Sequence, residues 1–325
     1  MATDSDTRQS HKAAMSEPHK KSGKKLWVSL LVTLVAVLAL GWMLRQVDWQ
    51  QAALAGARVP LHVWLLSALG MAASHLLRAG RVRAEWRGQL RMGWREAWGL
   101  MVRHSAWVVL VPMRGGEAIY VWALHRQGGV PLRQAGLSLL RLRLQDTAVL
   151  AVLAAALFAP FGWPWRLLLL LAMLAVAIWL LPAVWFIVQE RAARRSGESG
   201  RKLPAPAWAS WAYAVSNWVV KLAAIAWPLL SLLPLDFDAA LKGAAGGELA
   251  AALPVQPPAG FGPYEAGVIA AIRSTVAVAW SDIAVAALVV HLLALAVTVG
   301  SSALARLLGW SHHDLRLPNS GPGPA

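Results

Sequence analysis

A short charged motif, Arg114-Gly115-Gly116-Glu117, interrupts an otherwise apolar stretch of the chain. Charged side chains near the middle of a bilayer cost about 2.5–3.5 kcal/mol each, so they are rare there unless they are used. Glycine lets backbone N–H groups approach a ligand closely, and concave groups of N–H donors bind anions. The motif predicts an anion-binding loop in which Arg114 and the backbone at Gly116 contact the anion, while Glu117 holds a cation of the site when it is empty. An ordinary surface Arg–Glu pair is the alternative.

Two further sites place charge where helices are expected. Arg143 and Asp146 are three residues apart and would share one face of a helix; the alternative is an arginine that extends to the membrane surface. Lys221 lies in the middle of an apolar stretch, and an ammonium there should face the protein interior and have a partner. Glu117, Glu265 or a lipid phosphate is the expected partner, either in a binding site or in a structural ion pair.

The carboxylate Glu265 directly follows the Pro/Gly-rich segment PAGFGPY, which contains Gly260 and Gly262. A carboxylate in the first turn of a helix is stabilised by the helix dipole. Arg273 lies eight residues later, close to two helical turns, and so on the same side. These residues predict a second part of an anion site, with a simple helix cap at Glu265 as the alternative.

Three lone histidines, His62, His75 and His291, lie in apolar blocks. Such residues are expected to be packed or hydrogen-bonded, with a proton relay as the alternative. The sequence has no cysteine, no phosphate-loop lysine motif, no H-E-x-x-H and no G-x-S-x-G. We therefore expect no enzymatic activity, no cofactor and no metal site.

The composition places these residues in a membrane. Hydrophobic residues make up 58% of the 325 residues and charged residues 14%, against about 25% charged residues in a soluble domain. The net charge of +15 arises from basic clusters between apolar blocks, which the positive-inside rule explains. A nucleic-acid-binding protein would instead place its basic residues on one continuous face. The chain is therefore predicted to be an all-α polytopic membrane protein.

The apolar blocks predict about six full transmembrane helices and two re-entrant helical hairpins in an inverted arrangement. The predicted spans are residues 26–44, 59–77, 147–165, 167–188, 207–235 and 283–305. The predicted hairpins are residues 97–143, with a tip at 114–117, and residues 243–280, with a tip at 257–263. Non-helical backbone occurs at membrane depth only where protein or a wet cavity covers it. Two opposed tips therefore predict a polar site, as in transporters with broken helices.

Charge between the spans predicts their orientation. Segments 78–96 and 189–206 are basic and are expected to be cytoplasmic, the first as a helix on anionic headgroups. Residues 236–282 carry five acids and two bases and are expected outside. Both termini are then cytoplasmic, in a bacterial inner membrane. The expected division is a disordered tail at 1–25, a membrane domain at 26–308 and a disordered tail at 309–325.

Three motifs in this order resemble the lysylphosphatidylglycerol synthase transmembrane-region family: P-x-R-x-G-E, then R-x-x-D, then a Pro/Gly-rich segment ending in G-x-x-E. The matching positions are Pro112, Arg114, Gly116, Glu117, Arg143, Asp146, Gly260, Gly262 and Glu265. The resemblance covers roughly residues 26–308. This chain has Tyr120 and Leu142 where the family often has Arg and Glu.

The resemblance implies a role with membrane lipids. In two-domain members the membrane region is joined to a soluble transferase that uses aminoacyl-tRNA, and it is implicated in flipping the lysyl-lipid. About twenty residues follow the last predicted span here, so we expect no transferase. The expected function is translocation or handling of an anionic phospholipid or lipid-linked intermediate. The alternatives are a non-transporting scaffold for a glycosyltransferase or lipid-modifying enzyme, and a small-solute or ion transporter.

Overall fold

The structure, a computed structural model, describes residues 48–196, 208–253 and 257–310, together with positions 38, 41 and 45. This part of the chain is helical and contains no strand. Most of the first predicted span, residues 26–44, and both predicted tails except Gly309 and Trp310 lie outside the described residues. The expectations for those segments therefore remain predictions.

Ten helices make up the described chain. They are α1 (Trp49–Arg58), α2 (Leu61–Glu85), α3 (Trp94–Leu110), α4 (Ala118–Gly128), α5 (Leu132–Phe158), α6 (Trp163–Ser196), α7 (Trp208–Leu232), α8 (Phe237–Ala251), α9 (Pro263–Arg273) and α10 (Trp280–Leu307). Three of them, α6, α7 and α10, are long and apolar enough to cross a membrane. Helices α1 and α2, bent by 99° at their junction, form a fourth candidate. The fold is thus that of a multi-pass helical membrane protein.

Both predicted hairpins are helix–break–helix units. A 3₁₀ segment, Pro112–Glu117, separates α3 from α4 and is called the first tip. A second 3₁₀ segment, Pro258–Gly260, lies between α8 and α9 and is called the second tip. Proline at the start of each segment and glycine within it favour this break, because proline lacks an N–H donor and glycine tolerates left-handed backbone. The second tip uses this freedom at Gly260, where φ is +77°.

The arms of the second hairpin pack closely and antiparallel. Gly243 of α8 lies against Ile272 near the end of α9, and Gly247 lies against Tyr264 near its beginning. Between these contacts, Gly246 and Gly267 are so close that a Cβ on either would meet the backbone carbonyl of the other. Small residues permit this approach between helices in membranes. They hold the two arms together as one rigid unit behind the second tip.

The boundaries of the first hairpin were predicted too far along the chain. Gly129, at φ +63°, ends α4, and Pro131 precedes the first turn of α5. Helix α5 then continues without a break to Phe158. Arg143 and Asp146 therefore lie within a long helix rather than at the start of a span at residue 147. The second hairpin, predicted at 243–280, comprises α8, the second tip and α9, which together run from 237 to 273.

The prediction that residues 78–96 form one surface helix on headgroups is wrong. Helix α2 continues through the first part of this segment to Glu85. Arg81 and Glu85 are buried, with 3% and 5% of their surface exposed, and Trp86 is buried beside them. Arg141 of α5 is buried in the same way, with 1% of its surface exposed. These charged side chains have partners inside the protein, so they need neither water nor lipid phosphate.

The basic segment at 189–206 is helical in its first part, because α6 extends to Ser196. Residues 197–207 lie outside the described chain. The predicted span at 147–165 corresponds to the second half of α5 and the turn after it. The first half of α5 carries several charged residues. Helix α5 is therefore not among the helices that are apolar enough to cross a membrane, whereas α6 is.

Candidate functional site

The two tips contact each other, and a cavity of about 380 Å³ lies beside them. Its wall is formed by α2, α3, α5, α7, α8, α9 and α10 together with residues of both tips. One part of the wall is apolar, with Met71, Val108, Leu150, Trp218 and Leu295. The rest is strongly polar. The cavity therefore has the mixed lining expected of a site for an amphipathic ligand.

Six charged side chains lie on the cavity wall: Arg78, Glu117, Arg143, Asp146, Lys221 and Glu248. Three are cations and three are carboxylates, so their formal charges cancel. Four of the six were predicted as site residues. The fold brings these four together from three separate elements, namely the first tip (Glu117), α5 (Arg143 and Asp146) and α7 (Lys221).

The first motif and the second motif meet directly. The Nε atom of Arg143 lies 3.1 Å from Oε1 of Glu117, and about a quarter of each side chain is exposed. A guanidinium NH2 of Arg143 also lies 3.3 Å from Nε2 of His104. Asp146, one turn further along α5, accepts a hydrogen bond from Arg81 at 2.6 Å. Arg143 and Asp146 both line the cavity, and each forms an ion pair with a residue of another element.

Lys221 has a different partner from those predicted. Its Nζ lies 2.6 Å from Oε2 of Glu248, and the ring of Trp218 lies 5.4 Å from the same nitrogen. The Lys221 side chain is 30% exposed, whereas that of Glu248 is 7% exposed. Helix α8 packs along α7 and places the Glu248 carboxylate on the cavity wall. Neither Glu117 nor Glu265 binds Lys221.

Glu265 joins the second tip to α10. Its Oε1 lies 2.7 Å from Nδ1 of His291, and its Oε2 accepts a hydrogen bond of 2.7 Å from the backbone N–H of Gly262. The ring of His291 lies on the cavity wall and stacks against Phe261 and Tyr264 at 4.9 and 4.3 Å. Glu265 is therefore both the helix cap and the residue that orients a cavity histidine.

The remaining predicted site residues are Gly116, Gly260, Gly262, Arg273 and Arg114, and they differ in how they relate to the cavity wall. Gly260 lies on the cavity wall, whereas Gly262, at φ +89°, supports Glu265. Gly116 is buried against the backbone of Trp107 rather than open to a ligand. Arg273 is exposed at the end of α9 and is not a wall residue, which separates it from Glu265. The side chain of Arg114 lies outside the described residues, although its backbone belongs to the first tip.

Arg78 was not predicted as a site residue, and His75 was predicted as a packed or hydrogen-bonded histidine with a proton relay as the alternative, yet both are on the wall. They are three residues apart on α2 and so share a helix face, which is a signal that the sequence contained. Arg78 donates a hydrogen bond of 2.9 Å to Oγ of Ser105. Beside them, Ser74 donates a hydrogen bond of 2.7 Å to Oδ1 of Asn217, which ties α2 to α7.

Residues 26–301 match the family model described as the lysylphosphatidylglycerol synthase TM region. The chain belongs to this family. The match includes the three motifs and every wall residue of the cavity, from Met71 to Thr298. No curated protein matches the chain. Membership of the lysylphosphatidylglycerol synthase transmembrane-region family, together with the apolar helices, makes this a multi-pass membrane protein with a lipid-related role.

Proposed function

We propose that the protein translocates an anionic phospholipid or a lipid-linked intermediate. The headgroup enters the cavity between the tips while the acyl chains stay in the bilayer. The observation that carries the proposal is the cavity itself, because it combines three cations with an apolar wall at a break in two hairpins. Its volume, about 380 Å³, is in the range of small-molecule sites. The proposal involves binding and movement, with no bond broken in the lipid.

Exchange of ion-pair partners explains how an anion binds there. Arg143 presents a planar fork of donors, which suits phosphate oxygens. When the cavity is empty, Glu117 holds this guanidinium in place, and Glu248 does the same for Lys221. A phosphate can take over part of each contact without leaving a buried cation unpaired. The carboxylates thereby keep the empty site stable in a medium of low dielectric constant.

The proposed membrane arrangement is six full spans and two re-entrant hairpins, one from each side. Two helix breaks that contact each other support it, since broken helices meet at substrate sites in transporters built from inverted repeats. Movement of one half against the other would then open the cavity to either leaflet in turn. Anionic membrane lipids are the expected partners.

Replacing Arg143 with alanine is expected to slow headgroup translocation by about tenfold or more. Loss of hydrogen bonds to a charged group costs about 1.5–3 kcal/mol, and each 1.4 kcal/mol corresponds to a factor of ten. The measurement is transbilayer movement of headgroup-labelled phosphatidylglycerol in proteoliposomes that contain only the purified protein. Arg91→Ala is the matched control, because Arg91 is exposed and not part of the cavity wall.

Wild-type translocation in folded Arg143→Ala protein would contradict the assignment of the site. If the folded wild-type protein moves no lipid by itself, the translocation proposal is wrong, and the scaffold function is favoured. A flux of small solutes that does not depend on the headgroup would favour a solute transporter.

A further inference from the structure

The ring of His291 has one nitrogen bound and the other open to the cavity. Its Nδ1 lies 2.7 Å from Oε1 of Glu265, and an ionised carboxylate only accepts, so Nδ1 carries the hydrogen. The rings of Phe261 and Tyr264 stack against the imidazole and hold its orientation. Within the described chain no residue binds Nε2, and this nitrogen is not among the enclosed atoms without a partner. Because His291 lines the cavity, Nε2 is the atom that a bound headgroup can reach.

The cavity face of α10 presents hydrogen-bond acceptors. A neutral imidazole that carries its hydrogen on Nδ1 has a lone pair on Nε2. Thr298 lies two turns further along the same face of α10 and also lines the cavity. Its hydroxyl donates its hydrogen to the carbonyl of Ala294 at 2.8 Å, so only lone pairs remain for a ligand. Helix α10, which is described throughout, adds no charged side chain to the wall. This face therefore suits a ligand group that donates hydrogen bonds.

The cations of the wall come from other helices. Arg78 belongs to α2, Arg143 to α5 and Lys221 to α7. A ligand that satisfies both regions of the wall carries an anion and, a few bonds away, a hydrogen-bond donor. Glycerol and sugar headgroups have this arrangement, because their hydroxyls follow the phosphodiester within two or three bonds. A headgroup without a hydroxyl would bury the acceptors of α10 without a donor, and unsatisfied buried acceptors cost free energy.

We propose that the cavity selects a phospholipid whose headgroup carries a hydroxyl, as glycerol and sugars do, and that this hydroxyl donates a hydrogen bond to Nε2 of His291. Glu265 is a positioning residue, since it keeps the hydrogen on Nδ1 and thereby keeps Nε2 an acceptor. This inference rests on the proposed lipid function and narrows it to one class of headgroup. It also gives the glutamate of the third motif, which does not itself line the cavity, a role in recognition.

The first experiment compares two lipids of equal charge in the full-length wild-type protein. Dioctanoyl phosphatidylglycerol has two headgroup hydroxyls, whereas dioctanoyl phosphatidylpropanol has the same three headgroup carbons and no hydroxyl. Binding to the purified protein in detergent is followed by Trp fluorescence. We expect phosphatidylglycerol to bind about threefold to tenfold more tightly, the factor that one net hydrogen bond provides. Equal affinities overturn the inference, and they are the result that an imidazolium donating from Nε2 to the phosphate would give.

The second experiment removes the acceptor. In His291→Asn the side-chain amide still donates to Glu265, but no group remains at the position of Nε2. We expect the preference for phosphatidylglycerol to disappear while the affinity for phosphatidylpropanol stays within about twofold of wild type. His291→Gln has a longer amide that reaches the cavity, so it is expected to keep part of the preference. His62→Asn is the matched control, because His62 is exposed at the beginning of α2.

The ratio of the two affinities distinguishes recognition from a structural role. Partition of each lipid into detergent is the same for every variant, so a change in this ratio reports on the protein. If both affinities fall by the same factor in folded His291→Asn protein, the residue is only structural and the inference is wrong. The comparison in the wild type needs no variant, so a folding defect cannot obscure it.

Three further outcomes separate this inference from the proposed function. If the wild type binds both lipids equally well, the lipid site stands and only the role of His291 is wrong. A preference for phosphatidylethanolamine over phosphatidylglycerol would show that the acceptors bind an ammonium group, which also overturns the assignment of a hydroxyl. Glycerol 3-phosphate carries a phosphate and hydroxyls without acyl chains. Binding of this soluble ester, with none of either lipid, would overturn both the lipid function and the inference built on it.

Discussion

Arg141→Ala is expected to lower the free energy of unfolding by about 3–5 kcal/mol, the largest loss of stability that we expect from one side chain. Arg141 forms an ion pair with Glu85, and each side chain is 1% exposed. The guanidinium also lies 5.3 Å from the ring of Trp185. Alanine would leave the carboxylate of Glu85 buried without its cation, and desolvation of an unpaired charge is what makes the loss large.

Thermal unfolding of the purified protein in detergent measures this effect. The double variant Glu85→Leu/Arg141→Met is expected to recover much of the stability, since it removes both buried charges and keeps the volume. Arg58→Ala is the matched control, because Arg58 is exposed and such substitutions usually change stability by less than about 0.5 kcal/mol. A stability of Arg141→Ala equal to that of this control would contradict the energetic role of the pair.

Gly116→Ala is expected to displace the first tip and to cost about 2–3 kcal/mol of stability, in the upper range for overpacking. A Cβ at this position would overlap the backbone carbonyl of Trp107 and the nitrogen of Val108. Backbone atoms of a helix cannot move aside as the end of a side chain can. Glu117 follows directly and would shift away from Arg143, so we also expect weaker lipid binding.

Gly136→Ala provides the matched comparison, because no atom lies within 4 Å of a Cβ built at this glycine of α5. Alanine inside a helix is more favourable than glycine by about 0.5–1 kcal/mol. We therefore expect this variant to be at least as stable as the wild type and to bind lipid normally. Thermal unfolding and phosphatidylglycerol binding, measured for both Gly116→Ala and Gly136→Ala, test this prediction. Equal behaviour of the two glycine variants would show that the close packing of the tip is not required.

The helix breaks could be predicted from the sequence because their causes are local. Proline removes a donor and glycine permits left-handed backbone, so the segments PMRGGE and PAGFG, which combine both residues, favour a break in the helix. The exact end of the first hairpin was missed for a similar local reason. Gly129 and Pro131 indicate that one helix ends and another begins at residues 129–131. The prediction instead ended the hairpin at the charged residues 141–146.

The ion pairs could not be predicted in the same way. Arg81 and Asp146 are 65 residues apart, and Lys221 and Glu248 are 27 residues apart. Which carboxylate a cation contacts depends on how each helix is rotated against its neighbours. An arginine in segment 78–96 contributes the same charge whether it faces lipid headgroups or, as Arg81 does, an aspartate inside the protein.

The sequence by itself therefore determined the membrane class, the family and the two broken segments, because hydrophobic length and Pro/Gly chemistry act over a few residues. Only the tertiary structure decided that Glu248 rather than Glu265 holds Lys221, and that Glu265 holds His291. Those contacts arise when α7 packs against α8 and α9 packs against α10. The free energy of a buried charge depends on its neighbours in space, whatever their distance along the chain.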